Sequence, residues 1–97
     1  MTQPDAARTE DDIRRRRIRF RATHRGTHET DLLVGGYVVP RLPGMTPDEL
    51  DAIEAVMDLP DADLADWLSG RRPIPPDHDG PLLRAMRDAA GRRGVAA

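Results

Sequence analysis

Cysteine is absent from the chain, and so is lysine. The first absence excludes disulfide scaffolds, thiolate zinc sites, thiol nucleophiles and iron–sulfur clusters. The second makes every one of the 15 basic residues an arginine, a planar cation with N–H donors in a fixed fork. Aromatic residues are scarce, with only Phe20, Tyr37 and Trp67 present, so a core must rest on Leu, Ile, Val and Met. No apolar run approaches the ~18–20 residues that span a bilayer. The sequence is polar through Asp12 and shows no secretory apolar region, so a cytoplasmic protein without a membrane anchor is expected. A phosphate loop, a dinucleotide fingerprint and a nucleophile elbow are all missing, which removes the enzyme classes built on them. At 97 residues the chain makes one small domain with a modest core.

What is present reads as helices. Residues 1–12 are polar and lack an apolar period, which predicts a disordered tail. Residues 91–97 read the same way, leaving 13–90 for the folded part. Residues 13–24 hold no Gly or Pro and favour helix, with Gly26 as the stop. A second helix starts near Thr27 and runs to Pro40. It is apolar on nearly every side, which predicts the central, most buried helix. Gly35-Gly36 inside it would allow a close helix crossing or a kink. Tyr37-Val38-Val39 is β-prone, so a strand over 32–39 is the competing reading, but the chain offers it no partner strand.

The third helix, over 46–58, has the clearest signals. Thr46 caps it, Pro47 stands at the first turn and Glu49 completes a capping box. Leu50, Ile53, Val56 and Met57 form its apolar stripe. Asp61 is expected to cap a fourth, short helix carrying Leu64, Trp67 and Leu68, ended by Gly70. Trp67 reads better as a core anchor than as an interface aromatic. Prolines keep 71–80 from being helical. Pro81 opens a fifth helix with Leu82, Leu83, Met86 and Ala90 inward. The fold class is therefore all-α, a small five-helix bundle with disordered tails.

Charge is segregated along the chain. Residues 13–25 carry seven arginines and no acid, while residues 46–66 carry eight acids and no base. One reading of the arginine block, Arg14–Arg21 above all, is a nucleic-acid-binding or regulatory module. The plainer reading is a basic helix face that packs beside the acidic third helix. The acidic segment argues against nucleic acid, because on so small a domain it would repel a polyanion. Metal binding is not expected either. His24 and His28 are four apart, but Gly26 breaks the helix between them. His78, between Asp77 and Asp79, suits a capping or loop role. Asp58, Asp61 and Asp63 lack the bidentate Glu of a calcium loop.

The segment Arg25-Gly26-Thr27-His28-Glu29-Thr30-Asp31 clusters both signs of charge around a glycine at a helix–helix turn. On local rules it is a glycine stop followed by acids that favour the next helix N-terminus. Arg25-Gly26-x-x-Glu29-x-Asp31, an apolar helix and then Asp61-x-Asp63-Leu64-x-x-Trp67-Leu68 resemble the SdhE family. These are FAD assembly factors of succinate dehydrogenase, related to mitochondrial succinate dehydrogenase assembly factor 2. The resemblance covers about residues 14–90 of the chain. It implies a five-helix bundle and a small, monomeric factor that is not an enzyme. The partner it implies is the flavoprotein subunit of succinate dehydrogenase and, in some bacteria, of fumarate reductase. The factor would promote covalent attachment of FAD to a histidine of that subunit, holding no cofactor stably itself. The family's contact turn maps onto Arg25, Gly26 and Glu29, with Asp31 next. Arg21, before it, and His28, within it, complete the candidate partner-binding set. The resemblance implies that Arg25 and Glu29 make charged hydrogen bonds to the partner. Thr27, Thr30 and Ala65 depart from residues common in the family, and the third helix lacks a frequent phenylalanine.

Overall fold

A computed structural model describes residues 6–93 of the chain. Five α-helices follow one another: α1 (Ala6–Thr23), α2 (His28–Arg41), α3 (Pro47–Met57), α4 (Asp61–Ser69) and α5 (Pro81–Arg92). A single 3-10 turn, Leu42–Gly44, links α2 to α3. The described residues contain no strand, so the β reading of 32–39 falls.

The helices form where apolar spacing and end signals agree. Thr27 caps α2 by accepting a hydrogen bond from the Thr30 N–H. Thr46 and Glu49 form the expected reciprocal capping box on α3. Gly70, at φ +86, closes α4 in the left-handed conformation that glycine adopts without strain. Leu33, Val34 and Val38 of α2 are wholly buried, and α2 packs on α1, α4 and α5. It is the central helix, as its sequence predicts. Gly35 shows why a glycine stands there. A Cβ at that position would lie 3.1 Å from the Ala22 carbonyl oxygen and from Thr23 Cγ2, so α1 crosses α2 closely at this point.

Leu50 and Ile53 of α3, Leu64 and Leu68 of α4 and Met86 of α5 complete one continuous core. Trp67 belongs to it, being 4% exposed. His78 from the proline-rich connector stacks on its ring at 5.2 Å between centroids, which is the role of that loop histidine. Leu82 is only partly buried, in contrast to the inward place expected for it.

Four boundaries differ from the sequence reading. α1 begins at Ala6, so residues 6–12 of the expected tail are helical. Their polarity hid this, since Ala, Arg and Glu are good helix formers without needing an apolar face. α5 runs on through Gly91 and Arg92 into the other expected tail. Residues 1–5 and 94–97 of those tails lie outside the described residues. Pro40 lies inside α2 and does not end it. Placed in the last turn, it forfeits only its own N–H bond, and the chain tightens into the 3-10 turn after it. Asp61 is the first residue of α4 and not its cap; Pro60 holds the cap position with no side-chain bond.

The two charge blocks meet. Arg14 of α1 binds Glu54 of α3 through Nε at 3.1 Å and Nη2 at 2.7 Å, and also pairs with Asp51. Arg21 pairs with Asp58 at 2.7 Å. Arg15 donates to the carbonyls of Leu42 at 3.2 Å and Met45 at 2.9 Å, at the 3-10 turn between α2 and α3. Arg14 and Arg21 of the block thus balance acids of the third helix and its end, while Arg16, Arg17 and Arg19 are exposed.

Candidate functional site

The turn between α1 and α2 lies against the junction of α3 and α4. Gly26 makes this possible with φ +113, a conformation that strains any residue with a Cβ. The Asp61 carboxylate sits directly beneath, 3.5 Å from where a Gly26 Cβ would be. Asp31 folds the turn from inside, its Oδ1 accepting from the Arg25 backbone N–H at 2.6 Å. The Asp31 N–H in turn donates to the Thr27 carbonyl at 3.0 Å.

Arg25 points into the protein. Its side chain is 9% exposed. Nε donates to Asp61 Oδ1 at 2.8 Å, Nη1 to the Met57 carbonyl at 2.9 Å and Nη2 to the Leu59 carbonyl at 3.1 Å. The two carbonyls belong to the end of α3 and the loop after it, where helical partners run out. One guanidinium fork therefore fastens the turn to the α3–α4 junction. All three nitrogens of Arg25 bond within the fold, so in this structure the side chain anchors the turn.

Glu29 faces outward, in the first turn of α2. Arg71, just after α4, grips it with both ends of its fork: Nη1 to Oε2 at 2.7 Å and Nη2 to Oε1 at 3.0 Å. These hydrogen bonds hold the Glu29 carboxyl below the ordinary carboxylate range, against the opposing effect of partial burial. Arg71 Nε lies 3.3 Å from Asp66 Oδ1, and Arg72 reaches the other oxygen of Asp66. In the sequence Arg71 reads only as part of the Arg71-Arg72-Pro73-Ile74-Pro75-Pro76 stretch, a rigid connector or a peptide-domain ligand, and Asp66 only as one acid of 46–66.

The remaining candidates scatter around the turn. His28 is exposed at the start of α2. His24 lies flat on Phe20, with ring centroids 4.0 Å apart, and its Nδ1 is 2.9 Å from the Phe20 carbonyl oxygen. Phe20 itself is 62% exposed, a large apolar side chain in solvent close to the turn. Arg21 is taken up by Asp58. Among the described residues, no three His, Asp or Glu side chains gather closely enough to share a metal ion. No described helix is long and apolar enough to cross a membrane.

A family model described as flavinator of succinate dehydrogenase matches residues 16–90, which takes in the turn, the central helix and the Trp67 segment. The chain belongs to the SdhE family. The FAD assembly factor SdhE of Acetobacter pasteurianus is 50% identical over 82 residues, covering 84% of this chain and 75% of that protein. Mitochondrial succinate dehydrogenase assembly factor 2 of Yarrowia lipolytica is 31% identical over 85 residues, covering 84% of this chain and 59% of that protein. The factor of the same description in Mycosarcoma maydis is 37% identical over 59 residues, covering 61% of this chain and 25% of that protein. The chain therefore spans less than two thirds of the length of these mitochondrial relatives. No solved structure matches the chain at a significant level.

Within the SdhE family frame, the candidate set separates by what each group does in this fold. Gly26, Asp31 and the Arg25 fork build the turn and anchor it. Glu29, His28 and Phe20 are what the turn shows to the outside.

Proposed function

We propose that this chain binds the flavoprotein subunit of succinate dehydrogenase before its FAD is covalently attached, and raises the yield of that attachment. The observation that carries the reading is the Arg25–Asp31 turn. It is locked by internal hydrogen bonds and presents a charged, glycine-shaped surface in a chain matched to the flavinator family across residues 16–90. The groups that form the bond are the client's histidine and its flavin. The factor's part is geometric, favouring the client conformer in which those two groups meet.

That division of labour fits the site. Arg25 and Asp31 are committed to bonds within the fold and Glu29 is held ionised by Arg71, while His28 is exposed at the start of α2. We infer a non-catalytic, monomeric factor of the cytoplasm that keeps no flavin between rounds. The fumarate reductase flavoprotein, where the organism has one, is a second client of the same kind. The nucleic-acid reading is the weaker one, because three of the six arginines of 14–21, Arg14, Arg15 and Arg21, bond within the fold.

The test mixes the flavoprotein subunit of the same organism with FAD, with and without this chain. The sample is then denatured and its in-gel flavin fluorescence read. More covalent flavin with the chain present is the expected result. Equal yield from a folded, competent subunit would overturn the proposal.

A further inference from the structure

The Glu29–Arg71 contact joins parts of the chain 42 residues apart and lies on the exposed side of the turn. Its geometry is a fork on a carboxylate, with both guanidinium ends engaged at 2.7 and 3.0 Å. Both side chains remain about two-fifths exposed, at 40% for Arg71 and 41% for Glu29. An exposed pair of this kind adds little to stability. It does change what Glu29 can do.

A lone surface glutamate samples many rotamers and must give them up on docking. Glu29 has one arrangement imposed on it by a planar fork. That fork is itself held at its third nitrogen by Asp66, whose side chain is 29% exposed and lies one turn earlier in the chain. A carboxylate has about four lone-pair positions, so two hydrogen bonds from Arg71 leave others directed outward. The surface offered to a client is therefore a carboxylate acceptor on α2, fixed in orientation from the connector after α4.

We propose that Arg71 is a positioning residue for client docking: it holds the Glu29 carboxylate in one orientation, and Asp66 holds Arg71. This rests on the reading of the turn as the client contact. It extends the partner-binding site beyond the turn, to a residue 42 positions away in sequence. The client chemistry it fits is an N–H-rich surface, from arginine side chains or exposed backbone, set to approach a preoriented carboxylate.

The experiment uses the full chain and its apo-flavoprotein subunit. It measures Kd by calorimetry and covalent flavin formation as a function of assembly-factor concentration. Arg71→Gln is expected to weaken binding by about three- to tenfold, the cost of freezing a long side chain on docking. Its flavin yield at saturating concentration should equal that of wild type, and its melting temperature should stay within a few degrees. Arg71→Lys keeps the charge and lacks the fork, so it should fall short of wild-type affinity. The double variant Glu29→Gln/Arg71→Gln should bind no more weakly than Glu29→Gln alone, because Arg71 acts through Glu29.

Wild-type affinity in Arg71→Gln, full rescue by Arg71→Lys, or losses that multiply in the double variant would each overturn the inference. So would tighter binding by Arg71→Gln, which would make Arg71 a mask over Glu29. A wild-type chain that neither binds the subunit nor raises covalent flavin would remove the functional reading and this inference together. If wild type does both, a failure in the Arg71 series removes the inference alone.

Discussion

Removing the Arg25 side chain is the perturbation that separates structure from expectation most cleanly. If Arg25 were a partner contact and nothing more, Arg25→Ala would leave the fold alone and harm only binding. In the structure it also anchors the turn. The guanidinium, 9% exposed at the side chain, bonds to Asp61 and to the Met57 and Leu59 carbonyls. Hydrogen bonds to a charged group contribute about 1.5–3 kcal/mol each, and breaking a buried ion pair costs about 3–5 kcal/mol. Both figures need lowering here, because Asp61 is 34% exposed and water can reach it once Arg25 is gone. A loss of about 2–4 kcal/mol results, out of a total stability on the order of 5–15 kcal/mol. On a chain this size that lowers the melting temperature by roughly 10–25 °C. Urea unfolding followed by far-ultraviolet circular dichroism, with Trp67 fluorescence as a second probe, reads it directly. Arg25→Lys should retain part of the stability, since one ammonium can serve only some of three spread acceptors. An Arg25→Ala protein that unfolds at the wild-type midpoint, yet fails to bind its client, would refute the anchoring role.

The close crossing of α1 and α2 makes Gly35→Val a loss of about 1–3 kcal/mol by overpacking against the Ala22 carbonyl, seen as a lower urea midpoint; an unchanged midpoint would contradict the 3.1 Å approach. Acid should destabilise the protein. Hydrogen bonds from Arg71, Arg14 and Arg84 hold the Glu29, Glu54 and Asp79 carboxyls below their ordinary values. Groups whose folded pKa is depressed stabilise fully above their unfolded values, about 4, and lose that share as pH falls through the folded ones. The urea midpoint is therefore expected to hold from pH 7 to about 5 and decline below it. Arg14→Gln should shallow that decline by releasing Glu54, and a midpoint that holds or rises toward pH 3 would count against these pairs.

Much of this was legible in the sequence, because the informative signals are local. The Thr46–Glu49 capping box, Gly70, Pro81 and the spacing of Leu50, Ile53 and Val56 each act within a turn or two of helix. The helices they mark are where they were expected. The run from Leu33 to Val38 announced the central helix through its lack of a polar face. The turn was also readable, through Gly26 and the Arg-Gly-x-x-Glu spacing. What escaped was nonlocal. Nothing near Arg25 says that its fork ends on carbonyls more than 30 residues away, or that Arg71 reaches back 42 residues to Glu29. Charge in a sequence has a sign and a position but no direction, and direction decides whether an arginine is an anchor or a contact. Residues 6–12 failed for another reason: apolar periodicity finds only helices that have something to bury.

The Arg25 anchor also governs how the turn can come apart. Its three acceptors lie on the end of α3, the following loop and the start of α4, while Asp31 ties the same turn to α2. The turn cannot open without releasing all of these, so its amides belong to the same cooperative unit as the bundle and not to a locally fraying loop. In hydrogen–deuterium exchange, the Arg25 amide would be protected nearly as long as those of α2. A partly folded chain then has no ordered turn, and the Arg25–Asp31 surface exists only on molecules that have finished folding.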